Sequence, residues 1–418
     1  MALLIYISSL NNRIEYIFQH IFENILGISI AFTKNETQFN QFTGPKISYC
    51  NHDIGGFLNY RQHPFILEQN IKEQHLAFAD YRSYKIPFKT PNSVFPFDVF
   101  AASFYLLSRY EEYIHKERDE HGRFEGKSSL AYQHGFLKHP VIDEWAYEIV
   151  AQIRKHYPDF MAQERKFLLR PTLDIDRPYY YLNDPYLKQK VKKIKYQLKS
   201  DPFDIYYQVA NWDQKYGLKT VYFFLLGNQH ENDTAPSTEN QLFRKLIKDI
   251  SENHPVGIHP SYYAHLKDAE VKRERNLIIK ISQRKISISR QHYLLLSLPK
   301  TYRDLISAGI KEDYTMAYAD VTGFRAGTCT PFFWYDLEKE QAFDLLLHPT
   351  TAMDQTLRRY MGLTPDEALK EIKELMQNVK NVNGDFISLW HNESIGDFAH
   401  WKGWQTVYVE MLEMGSGN

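Results

Sequence analysis

The stretch that decides the fold reads "RPTLDIDRP", residues 170–178, and it closes a longer apolar run, "FLLRPTLDID", residues 167–176. In an extended strand the side chains at i and i+2 share a face, so Asp174 and Asp176 project together while Leu173 and Ile175 pack behind them. Two carboxylates roughly 7 Å apart on one strand face repel each other in a low-dielectric site unless a cation or a proton offsets them. A bound metal beside a general base is therefore the first chemistry to test. The plain alternative is a strand end that reaches solvent and carries acids for solubility or helix capping.

Outward from that run, strand-like and helix-like segments alternate. Strands are expected at "TVYFFLLG" (220–227), "VGIHP" (256–260), "ISISRQH" (286–292), "TMAYAD" (315–320), "AFDLLLHPT" (342–350) and "FISLWHN" (386–392). Between them lie amphipathic stretches such as "QLFRKLIKDISENH" (241–254) and "TPDEALKEIKELMQNVK" (364–380). This rhythm predicts a parallel α/β layout, and its span of roughly 250 residues suits a (β/α) barrel. An open doubly wound sheet gives the same alternation. The polar residues favour the barrel: Asp174, Asp176, His259, His292, Arg325 and His391 all fall at or just past the C-terminal end of a strand, where barrel enzymes gather their sites.

Residues 1–165 read as a smaller α+β domain with an opening strand, "LLIYISS", and a helix from Asn12 to Leu26. Two more helices are expected within 97–115 and 142–157, separated by a polar run, "HKERDEHGRFEGKSS" (115–129), that reads as a surface loop. The second unit then covers residues 166–418.

Composition narrows the function classes. With 50 lysines and arginines against 51 aspartates and glutamates, no global field steers the chain to nucleic acid or an anionic membrane. Two cysteines, Cys50 and Cys329, are too few for a disulfide framework or a cysteine metal cluster. Cys329 shows no base partner and reads as packing. No apolar run of about 18 residues is present, and the N-terminus lacks the basic flank and apolar core of an export signal, so a cytoplasmic protein without a membrane span is expected. No glycine-rich phosphate motif occurs. The basic segment "VKRERNLIIKISQRK" (271–285) carries a regular apolar stripe, which says outer helix before nucleic-acid patch.

A lone histidine at a strand end is more often a structural hydrogen-bonding residue than a ligand. Here His259, His292 and His391 share that position with an acid pair, out of only 17 histidines in the chain.

"TLDID", "GIHPS", "SRQHY", "GFRAGT" and "SLWHN" follow the order of the motifs of the polysaccharide deacetylase (NodB-homology) family, which residues 167–397 resemble. The resemblance implies a distorted (β/α) barrel of six to eight strands, with residues 1–165 outside it. It implies Asp174 as base, Asp176 and His259 as metal ligands, and His391 as general acid on the opposite wall. Arg290 or Arg325 would pair with Asp174 and keep it ionised, and Asp354 would orient His391. One departure concerns the second motif, where a further family histidine is Tyr263 here. The third ligand is then His292, which leaves the next strand end, or His265, which opens a polar helical run, or is missing, which would leave the site incomplete and the protein a non-catalytic relative; His292 is favoured. The implied cation is zinc, with nickel, cobalt, iron or manganese suited to the same donors.

The leading functional expectation is therefore metal-dependent hydrolysis of an acetamide on an N-acetylated carbohydrate, with water activated by the metal, an aspartate base and a histidine acid. The alternative is a non-catalytic carbohydrate-binding or scaffolding protein on a degenerate barrel. A metal-free glycosidase is disfavoured, since its two carboxylates flank the scissile bond rather than sit two residues apart on one strand.

Overall fold

The computed structural model describes residues 2–54, 58–182, 184, 186–195, 200–267 and 269–417. The first sheet holds β1 (Leu3–Ile7), β2 (Ile30–Thr33), β3 (Lys46–Tyr49) and β4 (Asn59–Tyr60) in the order β2-β1-β3-β4, parallel throughout. Where the sequence reading expects α+β, these ladders are α/β: helices return the chain between β1 and β2 and between β2 and β3, as parallel pairing requires. An antiparallel hairpin of β5 (Phe78–Tyr81) and β6 (Tyr84–Pro87) stands apart from that sheet.

The larger sheet is built from β7 (Leu168–Ile175), β8 (Val221–Leu225), β9 (Val256–His259), β10 (Ile288–Ser289), β11 (Glu312–Asp313), β12 (Phe332–Asp336), β13 (Gln341–Leu347), β14 (Ala352–Met353) and β15 (Asp385–His391). Its order is β12-β13-β11-β10-β9-β8-β7-β15-β14, and every neighbouring pair is parallel except β12 with β13. All seven residues of β15 are buried, the pattern of a parallel strand covered on both faces. The protein is thus mixed α/β with a large, mostly parallel sheet.

The sheet is rolled. In a flat sheet β11 and β15, third and eighth in the order, would stand about 24 Å apart. Instead Tyr314, just past β11, shares one apolar cluster with Phe223 of β8 and Ile387 of β15. Thr350, leading into β14, donates its N–H to Met316 O at 3.0 Å. Among the described residues no strand ladder completes the circle.

Two local expectations differ. "TMAYAD" is not a strand, because its carbonyls bond outside any ladder: Met316 O to Thr350 N, Ala317 O to Arg325 Nη1 at 2.7 Å, and Ala319 O to Thr356 Oγ1 at 2.8 Å. The ladder uses Glu312–Asp313 just before it. The unforeseen strand β12 forms a hairpin with β13, and this hairpin receives the N-terminal half. Tyr16 Oη donates to Phe333 O at 2.6 Å, and Arg13, 1% exposed, donates Nε to Glu340 at 2.9 Å. One apolar cluster accordingly runs from Leu3 to Leu412, across the boundary drawn at residue 165.

A buried ion cluster also crosses that boundary. Arg325 donates Nε and Nη2 to Glu112 at 2.9 and 2.6 Å, and Arg109 donates Nε to the same carboxylate at 2.8 Å. Arg109 Nη2 reaches Glu111 at 2.7 Å and Tyr318 Oη at 2.8 Å, so two arginines face two glutamates. The expected pairing of Arg325 with Asp174 does not occur, because the N-terminal half supplies a closer carboxylate. Among the described residues no helix is long and apolar enough to cross a membrane.

Burial pushes the Glu112 carboxyl up, but Arg325 and Arg109 outweigh it and bring its pKa down to about 2. Its ion-pair stabilisation is therefore full above about pH 4.5 and is lost as pH falls towards 2. Removing one partner strands the others: Glu112→Ala is expected to cost about 3–5 kcal/mol in a urea unfolding titration at pH 7. Unchanged stability in that variant would show that the cluster does not hold the two halves together.

Candidate metal centre

Parallel pairing lines up the C-terminal ends of β15, β7, β8, β9 and β10. In register, His391 lies beside Asp174 and His259 beside Leu225. The pairing of β9 with β10 continues past the strands, Arg290 N donating to Ile258 O and His292 N to Pro260 O, each at 3.1 Å. This extension carries His292 to His259, with ring centroids 5.0 Å apart. Tyr293 and Leu294 then adopt left-handed backbone with φ of 59° and 54°, a costly geometry for bulky residues that turns the chain sharply at the cleft.

Asp176, His259 and His292 each offer a ligand atom, all within 4.8 Å of one another. Asp176 Oδ2 is 3.4 Å from His292 Nε2, and Oδ1 is 3.4 Å from His259 Nε2. Both imidazoles are committed through the other nitrogen. His259 Nδ1 donates to Arg290 O at 2.6 Å and His292 Nδ1 to Asp233 Oδ1 at 3.0 Å, which leaves each Nε2 lone pair facing Asp176. Asp176 Oδ1 is buried without a hydrogen-bond partner among the described residues. A carboxylate with one orphaned oxygen, each of its oxygens facing an imidazole lone pair, fits a divalent cation, and three protein donors leave positions open, as catalytic rather than structural zinc does.

Asp174 is held otherwise. Its Oδ1 accepts from Arg290 Nη1 at 2.9 Å, and Oδ2 lies 3.6 Å from His259 Nε2. Arg290 has no exposure; its remaining bonds go to Tyr314 O, Thr172 Oγ1 and Thr350 Oγ1, and its guanidinium lies over the Phe223 ring at 4.7 Å. His391 Nδ1 donates to Asp354 Oδ1 and its backbone N–H to Oδ2, both at 2.8 Å, which turns Nε2 towards Asp176 at 3.8 Å. The resemblance puts His391 on the opposite wall; it sits instead on the strand next to Asp174.

Electrostatics follow from these contacts. Burial pushes the Asp176 carboxyl up, yet His292, His259 and His391 hold it well below the usual range. Burial lowers His292, and Asp176 with Asp233 more than reverses this, to about 9. Burial also lowers His391, but Asp354, Asp176 and Asp174 bring it up to about 10. With no cation present, protons on the histidines balance the acids; a cation and a proton compete for the same lone pair on His292.

These groups line a cavity of about 160 Å³, well under the roughly 300–1,000 Å³ that encloses a drug-sized ligand, so only a small group of a substrate enters it. Leu294, Met353 and Leu389, clustered with Ala317 and Ala319, form its apolar side. The structure thus brings Asp174, Asp176, His259, His292, His391, Arg290 and Asp354 together and leaves Arg325 on Glu112. His265 lies apart, with Nε2 3.3 Å from Ser297 Oγ. Cys329 is buried, with its sulfur packed against Gly384.

Two residues escape the sequence reading. Asp233 lies eight residues past β8 in "HENDTAP", beyond the reach of the strand-end rule that marks the other site residues. Arg123 comes from the polar run 115–129, reaches the cleft from the N-terminal half, and has no local signal.

Residues 3–158 match a family of unknown function, DUF7033. No curated protein matches the chain. Among solved structures, a Mycobacterium smegmatis protein assigned as a polysaccharide deacetylase aligns at 12% identity and a TM-score of 0.44, over 61% of this chain and 85% of that one. A Pseudomonas aeruginosa PAO1 protein with the same assignment aligns at 10% identity and 0.40, over 61% and 86%. A CE4 family pseudoenzyme from Bacillus anthracis aligns at 14% identity and 0.29, over 60% and 62%.

Zinc titration calorimetry with elemental analysis checks the ligand set. Asp176→Ala and His292→Ala are expected to lose stoichiometric zinc, and His265→Ala to retain it. Asp233→Asn, which loosens the hold on His292, is expected to weaken affinity about 10–100-fold.

Proposed function

We propose that the protein is a metal-dependent deacetylase, hydrolysing the acetamide of an N-acetylated amino sugar on a distorted barrel of the polysaccharide-deacetylase kind. One observation carries this reading. A three-donor cation site with an orphaned carboxylate oxygen shares a small cleft with an arginine-held aspartate and an aspartate-held histidine. A structural metal site has no use for the last two groups.

The chemistry a divalent cation supplies in such a site is polarisation of the amide carbonyl and a lower pKa for water. Asp174 accepts the proton of the attacking water. Its bond to Arg290 keeps it ionised and leaves Oδ2 for that proton. The new C–O bond forms at the acetyl carbon, and as the C–N bond breaks, His391 gives the Nε2 proton to the departing nitrogen. Asp354 holds His391 by its ring and its backbone, so this donor keeps its direction and its proton. Leu294, Met353 and Leu389 receive the acetyl methyl. The products are acetate and a free amine.

Acetate release from N-acetylglucosamine oligomers by zinc-loaded protein tests the proposal. Asp174→Asn is expected to bind zinc as wild type does and to lose about 10²–10⁴-fold in kcat. A sugar bound by metal-replete wild type without acetate release would overturn the enzyme reading in favour of carbohydrate binding.

A further inference from the structure

The cleft is walled on one side by the N-terminal half. Residues 119–123 make a tight loop, with Asp119 N donating to Arg123 O at 3.0 Å, Gly122 N to Asp119 O at 2.9 Å, and Gly122 at φ 78°. Asp119 Oδ1 accepts from the backbone of His121 and of Arg123, both at 2.9 Å, so the loop is braced from within. It presents Arg123 to the cavity. Nε is held by Asp119 at 2.7 Å, Nη1 reaches Tyr293 O at 2.9 Å, and Nη2 reaches Tyr360 Oη at 3.1 Å. A guanidinium has five N–H donors, so two remain for a ligand. Arg359, exposed on the same cavity, has no carboxylate partner among the described residues.

Charge decides what this wall can take. Asp174 and Asp176 are the only carboxylates among the described residues that line the cavity. Arg290 answers the first, and a cation would answer the second. Asp119 answers Arg123, so Arg359 is the arginine charge left for a ligand, and Arg123 adds its two uncommitted N–H donors. The asymmetry is useful in a cleft that admits only a small group, because the rest of a substrate must lie along the rim where Arg359 stands. Tyr293, packed edge-on against His121 at 4.8 Å, adds an aromatic surface beside it.

We infer that Arg123 and Arg359 form a specificity subsite for an anionic group, so that the preferred ligand is an N-acetyl amino sugar bearing a phosphate or a carboxylate. This rests on the deacetylase reading for the identity of the acetamido group; the anion subsite stands on the arginines alone. The N-terminal half is on this account part of the substrate site.

The test is calorimetry of the zinc-loaded 418-residue chain with three probes: N-acetylglucosamine, N-acetylglucosamine 1-phosphate and N-acetylmuramic acid. At least one anionic sugar is expected to bind about tenfold or more tightly than the neutral one, the gain of a charge-assisted contact; which one does so separates phosphate from carboxylate. Arg359→Ala, a surface change with little effect on folding, is expected to bring that ratio towards one. Arg123→Lys, which keeps the charge but loses the fork, is expected to lower it. Equal binding of all three probes would overturn the inference. A preference that survives Arg359→Ala would do so too, since the anion would then be meeting the zinc directly. Failure of the deacetylase reading looks different: the binding ratio holds and no acetate is released.

Discussion

A guanidinium without exposure to water persists only where acceptors surround it, and Arg290 is that group at the centre of the larger sheet. Its donors reach Thr172 and Asp174 on β7, the carbonyl of Tyr314 past β11, and Thr350 ahead of β14. These segments come from widely separated places in the sheet order, so satisfying one buried cation requires the sheet to roll. The same residue sets the chemistry twice. It holds the carboxylate proposed as base, and its carbonyl fixes the proton of His259 on Nδ1. Fold and site therefore share one constraint.

Asp176 follows from that arrangement. With Asp174 committed to Arg290, the neighbouring carboxylate two residues on is answered, among the described residues, by imidazoles alone. The groups that surround it, His259, His292 and His391, are each turned to it by a bond at Nδ1. Three such bonds, one to a carbonyl and two to aspartates, are an expensive way to decorate a strand end. They make sense as orientation of nitrogen lone pairs and of one proton around a common point.

Much of this is legible in the sequence because it is local. Period-two projection puts Asp174 and Asp176 on one face, and strand ends mark His259, His292 and His391 without knowledge of any partner. The choice between Arg290 and Arg325 is not local. Both follow apolar segments, and only the N-terminal half, which brings Glu112 to Arg325, separates them. The same holds for Arg123, whose place in the cleft depends on Tyr293 and Tyr360, more than 160 residues away. "TMAYAD" has strand composition, but its carbonyls are claimed by Arg325, Thr350 and Thr356, and composition does not report such claims.

The two halves of the chain consequently differ less in role than their patterns suggest. A second domain that merely rode beside the sheet would need a polar surface facing it. Here the contact is an unbroken apolar cluster, a half-buried pairing of Arg13 with Glu340, and a four-charge cluster with no net charge. Burying charge at an interface costs desolvation energy that apolar residues would avoid, and what it gives in return is direction: each guanidinium fork admits few geometries. Arg325 also donates to Ala317 O, and Ala317 belongs to the apolar cluster of Leu294, Met353 and Leu389 beside the cation site. The interface cluster and the apolar side of the cleft are thus one hydrogen bond apart. A shift of the N-terminal half would move that apolar side together with Arg123, which is a physical reason for the two halves to be built as one body around the site.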